Sequence, residues 1–494
     1  MPSTLSWSLA AILLAFAGSL RAQVIQVPAE YPTIQLAIDA APSGAEIRLA
    51  PGTYVQDRLS IVGKSLRLVG TAGALETLLL PTTGQEAMAF DGAGVHHLEL
   101  KGLHFFGSSG VGSALVVTDG QLTCSNCIFE SNTSSLPGAA VSVRAIEAPV
   151  HAVFERSVFR FNFSGASAGA IYLQSSYEGP TLEVFLTSCI IHHNFATQGA
   201  SAIGGIVDGP LVLAIQNTTL WENVVTVPGI GVATVYIFGD FGATGVLSGL
   251  NTICRDNQPG EFISDAGSLA TVPFSIQNAH CNMDTIPAAG AGNIDVEPGF
   301  VNAALGDFSL LPESGCVDAG LWYFPVSDTD VDGEERIFGF GFDIGADEYH
   351  PFIRHEGSNE GLDAEALVYP FSAAFYPEVS GGDFLRFDAW GTHPPFDLDP
   401  IAIVVQTFVG AKPESPLGFP SAHINPDLAD PPHVLIDIGF PNSYPSFPGD
   451  PVSLFREIPA GFAGHSFTVQ AFSLASVALN GHFAASPAFE IKVF

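Results

Sequence analysis

The sequence predicts an all-β chain: a solenoid of short parallel strands, followed by a separate antiparallel β module. Three observations predict it. First, a hexamer returns as CIFESN (127–132), SVFRFN (157–162), CIIHHN (189–194), TTLWEN (218–223) and TICRDN (252–257). Its copies end on Asn132, Asn162, Asn194, Asn223 and Asn257, spaced by 30, 32, 29 and 34 residues. Second, an apolar strip keeps step with it: SALVV from 113, AAVSV from 139, GAIYL from 169, SAIGGI from 201 and VATVYI from 232. A period between 20 and 50 residues is the signature of a solenoid, in which each repeat buries its apolar face only against its neighbours. Third, the hexamers stop near residue 350 and the pattern changes, with 18 of the 35 prolines falling beyond that point.

Residues 1–22 read as a signal peptide. Leu9 to Gly18 is an apolar run of secretory length, too short to span a bilayer, and cleavage after Ala22 fits. The expected location is therefore extracellular or at the cell surface, with no transmembrane segment. The solenoid is expected over 23–350, with six to eight turns. Its opening, YPTIQLAIDAAPSGAEIRLAPGTY (31–54), carries a short amphipathic helix near Thr33 to Ala41 that would cap the coil. In the rungs, the third hexamer position (Phe129, Phe159, Ile191, Leu220, Cys254) would form an inward apolar column. The terminal asparagines would sit at a turn, where Asn tolerates left-handed geometry, and stack as a ladder at the ~4.8 Å strand spacing. Softer copies, GLHFFG (102–107) and AHCNMD (279–284), flank the five strong ones.

These segments resemble right-handed parallel β-helices of the pectin-lyase-like superfamily. The closing segment, 297–350, holds EPGFVNAALGDFSLLPESGCVDAG and DTDVDGEERIFGFGFDIGADEY. It resembles the choice-of-anchor Q family of secreted bacterial proteins. The resemblance implies polysaccharide chemistry along the coil, yet the family's catalytic motifs are missing. There is no paired-aspartate segment with Gly-His-Gly and Arg-Ile-Lys, as in polygalacturonases, and no acidic calcium cluster with an arginine base, as in pectate lyases. Beyond it, 351–494 shows alternating runs such as FLRFDAW, IAIVVQTFV and SFTVQAF between Pro/Gly turns, the pattern of an antiparallel β-sandwich.

With 50 acidic residues against 16 basic ones, the net charge is −34. Such a chain repels nucleic acid, and also polyuronates unless a cation bridges them. Asp328, Asp330 and Asp332 precede Gly333 with the alternation of a calcium loop, although Gly339 stands where an EF-hand needs an acid. They are candidate ligands for a structural calcium ion; the bland alternative is a polar turn with Arg336 paired to a carboxylate. Fourth hexamer positions form a stripe of Glu130, Arg160, His192, Trp221 and Arg255, and fifth positions include His193, Glu222 and Asp256. Trp221, Arg160 and His193 are the glycan-binding candidates, since a ring can stack on a sugar and a guanidinium can pair with a carboxylate. Arg160, His192, Glu222 and Arg255 are the catalytic candidates. Cys254 and Cys281 share the third hexamer position on consecutive rungs, which makes them a candidate disulfide. The expected role is a non-catalytic scaffold that binds a polysaccharide or another cell-surface component. The alternative is a polysaccharide lyase or glycoside hydrolase with its groove along the coil.

Overall fold

Three long parallel sheets form the walls of a coil of about seven turns, seen in a computed structural model. It describes residues 23–349 apart from short stretches, the longest being 267–273 and 323–328, and beyond 350 only the course of the strands between 352 and 492. The expected signal peptide, residues 1–22, lies outside the described residues.

The first wall has ten strands, from Val24–Val27 to Phe274–Ala279; the second has eight, from Leu59–Val62 to Ile263–Ala266. The third wall has nine, from Gly52–Gln56 to Asn282–Met283. The apolar strip 113–237 belongs to the second wall, where Leu115, Val141, Ile171, Ile203 and Val235 stand in register. The hexamers belong to the third. Its strands are only three residues long in the middle rungs, so each sends one side chain in and two out. Phe129, Phe159, Ile191, Leu220 and Cys254 form the inward column and are almost wholly buried. Phe105 extends it, with rings stacked at 4.7 Å on Phe129 and 4.9 Å between Phe129 and Phe159.

Two of the softer repeats are shifted. Phe105, not His104, pairs with Phe129, so the in-register copy is LHFFGS and Ser108 takes the ladder position. At the other end Cys254 pairs with Met283, a two-residue offset. Cys281 therefore belongs to the position of Cys127, Ser157, Cys189, Thr218 and Thr252. Several of these hydroxyls and thiols donate to the carbonyl two residues earlier, as Ser157 to Glu155 (2.9 Å) and Thr218 to Gln216 (2.8 Å). The candidate Cys254–Cys281 bridge is absent: all six cysteines are free and buried. Burial pushes the Cys189 and Cys281 thiols up to about 12, so they are inert.

The asparagine ladder runs unbroken through the five hexamers. Asn132 donates from its backbone N–H (3.1 Å) and its Nδ2 (2.9 Å) to Oδ1 of Asn162. The same pair of bonds links Asn162 to Asn194, Asn194 to Asn223 and Asn223 to Asn257. The left-handed turn residue is not the asparagine but the residue before it: Ser131, Phe161, His193, Glu222 and Asp256 all have φ between 48° and 56°. Another left-handed corner falls on Asn126, Arg156, Ser188, Asn217, Asn251 and His280, with φ between 44° and 53°.

The helix Ile34–Ala40 caps the first rung. Thr33 accepts from the Leu36 N–H as its N-cap, Ile34, Ala37 and Ile38 are buried, and Lys64 closes the other end by donating to the carbonyls of Ile38 (2.8 Å) and Ala41 (3.1 Å). Beyond 350, eight strands form two antiparallel sheets of five and three.

Candidate functional site

The fourth-position stripe exists as an outward column on the third wall. Phe106, Glu130, Arg160, His192, Trp221 and Arg255 stand in register on six consecutive strands. The fold then divides this column in two.

Its N-terminal half is open. A groove of about 550 Å³ lies over the first strands of the wall, lined on one side by Pro51, Gly52 and Thr53 and by Leu75, Glu76 and Leu78. Its other side is His104, Phe106 and Glu130. Glu130 is the hub. Its Oε2 accepts from Arg160 Nε (3.0 Å) and the neighbouring guanidinium nitrogen (2.7 Å). His104 Nε2 lies 3.2 Å from the same oxygen, but off the line of a hydrogen bond. Burial holds the His104 imidazole below its ordinary value; Glu130 pulls it up and Arg160 pushes it down again. Its ring meets Phe106 edge-on at 5.6 Å.

The C-terminal half is covered. A hairpin, Phe300–Asn302 with Asp307–Leu310, lies across the wall. Phe300 packs edge-on against Trp221 at 5.1 Å, and Phe308 packs against His192 at 4.9 Å. Trp221 is 6% exposed and His192 2%. Trp221 therefore presents no open face for a sugar in this arrangement. Burial first, then His193 and Arg160, lowers the His192 pKa to about 3. His193 is half-buried at the corner; its Nδ1 lies 2.8 Å from that of His192 and its Nε2 2.6 Å from Glu222. Arg255 is taken up by Asp295 (2.7 Å) and Asp284 (3.2 Å). The structure thus brings Arg160 into the neighbourhood of the groove and keeps His192, Trp221, Glu222 and Arg255 apart from it. His104 was missed by sequence reasoning because GLHFFG, aligned on its last letter, puts it in the inward column.

The rest of the closing segment is a strap along the corner of the coil. Thr329 accepts from Arg156 through its hydroxyl and from Ser188 through its carbonyl. Arg336 reaches Ser188 Oγ (3.0 Å) and the Asn217 carbonyl (3.4 Å). Gly345 donates to Asn251 (2.9 Å), and His280 Nδ1 sits 3.0 Å from the Ala319 carbonyl. The strap so touches five successive left-handed corner residues. Its carboxylates fold inward: Asp330, Glu334, Asp343, Asp347 and Glu348 are all buried, with Arg336 3.9 Å from Glu348. Burial raises Asp343 to about 7, and burial with Asp330, Asp332 and Glu334 raises Asp347 well above the carboxylate range.

Of the three candidate calcium ligands, Asp328 lies outside the described residues. Asp330 spends its oxygens on the N–H groups of Asp332, Glu334 and Glu348, at 2.8–3.1 Å. No group of three or more His, Cys, Asp or Glu side chains is placed to hold a metal ion among the described residues. The described part of the loop is organised by backbone N–H groups that Asp330 accepts.

No protein-family model matches this chain, and no curated protein is significantly similar to it. No helix among the described residues is long and apolar enough to cross a membrane.

Proposed function

We propose that this chain is an exported, non-catalytic scaffold that binds glycan in the open groove of the third wall. The observation that carries the reading is the composition of that groove. It offers an aromatic ring, Phe106, and apolar lining residues, Leu75 and Leu78, beside carboxylate acceptors. Of its titratable groups, Glu130 is bound by Arg160, and burial holds the His104 imidazole below its ordinary value. Apolar rings with a few convergent polar groups are what a sugar-binding cleft needs. The resemblance to the pectin-lyase-like superfamily and to choice-of-anchor Q proteins supports the same reading. On it, the coil is right-handed, and residues 351–494 form a sandwich that acts as spacer or docking module.

A second reading has one observation in its favour. His104, Glu130 and Arg160 converge from three consecutive rungs beside a cleft, as the charged groups of a lyase or hydrolase would. One experiment separates the two. The full chain is applied to a glycan array, and bound glycans are then incubated with it and assayed for new reducing ends and unsaturated products. The scaffold reading expects binding that Phe106→Ala weakens at least tenfold, with no product. Product release abolished by Glu130→Gln would replace it with the enzyme reading.

A further inference from the structure

We propose that the groove selects a glycan carrying protonated amino groups, a glucosamine-type polycation, over a uronic-acid polymer or a neutral chain. The inference rests on the glycan-binding reading and adds the charge of the ligand. Two carboxylates line the groove, Glu76 and Glu130, and among the described residues no Lys or Arg side chain does. The nearest guanidinium, Arg160, is committed to Glu130 through two nitrogens. Both of these bonds, and the His104 contact, fall on Oε2, and among the described residues no hydrogen bond or ion pair falls on Oε1. Burial holds the His104 imidazole below its ordinary value, which disfavours a positive charge beside the groove.

Other arginines of the N-terminal rungs are ion-paired as well. Arg48, Arg58 and Arg67, the other arginines of the first rungs, each pair with a glutamate at 2.5–3.1 Å. All three guanidiniums are thus ion-paired. An anionic glycan would bring its charge against Glu76 and Glu130 and against a chain of net charge −34. A neutral glycan would desolvate the two carboxylates and return only hydroxyl hydrogen bonds. An ammonium returns a charge-assisted bond to each, while the sugar ring keeps its apolar contact with Phe106.

The test is titration calorimetry of the full chain at pH 6. Four oligosaccharides of equal length are compared: a glucosamine oligomer, its N-acetylated form, a glucose oligomer and an oligogalacturonate. The expected result is at least tenfold tighter binding of the glucosamine oligomer, weakening as salt rises. Glu76→Gln is expected to cut that preference about fivefold at unchanged melting temperature. Glu183→Gln, on the first wall and away from the groove, is expected to leave it intact. Equal loss in both variants would mean adhesion spread over the acidic surface and would overturn the proposal. Equal or tighter binding of the N-acetylated, neutral or uronic oligomer would overturn the amino selectivity while leaving the glycan reading in place. Binding of none of the four would sink both.

Discussion

A buried asparagine is costly to leave unpaired, and this coil uses that cost to fix its register. Each ladder residue is completely or almost completely buried and is satisfied on both sides. Asn162 accepts twice from Asn132 and donates to Asn194 and to the Phe129 carbonyl. Replacing it with alanine orphans several buried groups at once. Asn162→Ala should cost about 3 kcal/mol in urea unfolding, more than an apolar truncation of similar size on the wall exterior. A loss below about 0.5 kcal/mol would mean that the ladder is not a stabilising element. His192 makes a different test. Its folded pKa of about 3 lies below the unfolded value near 6.5, so stability is full above about pH 6.5 and falls as pH drops toward 3. The shift predicts a loss of about 2–3 kcal/mol at pH 4.5, relative to pH 7.5, that His192→Phe removes. Comparing melting curves of both proteins at the two pH values checks it; parallel acid losses would refute the assignment.

At the scale of elements, the strap and hairpin of the closing segment decide which part of the third wall faces solvent. The strap holds consecutive corners together, and Arg336, 1% exposed, is its largest fully buried side chain. Removing a buried cation strands its carbonyl and carboxylate partners. Arg336→Met should therefore destabilise by about 3 kcal/mol and speed hydrogen exchange at the Gly345 amide, which is bonded to Asn251. Unchanged exchange there would show that apolar contacts alone hold the strap. The hairpin is simpler. Two antiparallel strands are marginal by themselves, and this pair is seated by the rings of Phe300 and Phe308 on Trp221 and His192.

At the scale of the molecule, the walls were legible because their periodicity is physical. A side chain that stacks on its own copy must recur once per turn, so Phe129, Phe159 and the asparagines announce themselves. The two shifted repeats were harder. GLHFFG and AHCNMD each preserve the composition of the hexamer but not its last letter, and a one- or two-residue slip reassigns every side chain. That slip hid His104 and created the false Cys254–Cys281 pair. The groove was only half legible for another reason. Glu130 and Arg160 sit in the visible repeat, but Glu76, Leu75 and Phe106 come from rungs without it. Coverage of Trp221 by a hairpin nearly 80 residues downstream leaves no local trace in the hexamer at all.

The ladder also gives the coil an electrical direction. Every side-chain carbonyl from Asn162 to Asn257 faces the preceding rung, where it accepts two N–H groups, so the amide dipoles line up and polarise one another. The positive end of that line lies at Asn257. The residue before it is Asp256, whose backbone N–H is bonded by Asp284 at 2.9 Å, and Arg255 draws Asp295 to the same corner. Acidic side chains collect where a row of aligned amides ends, as they do at the start of a helix.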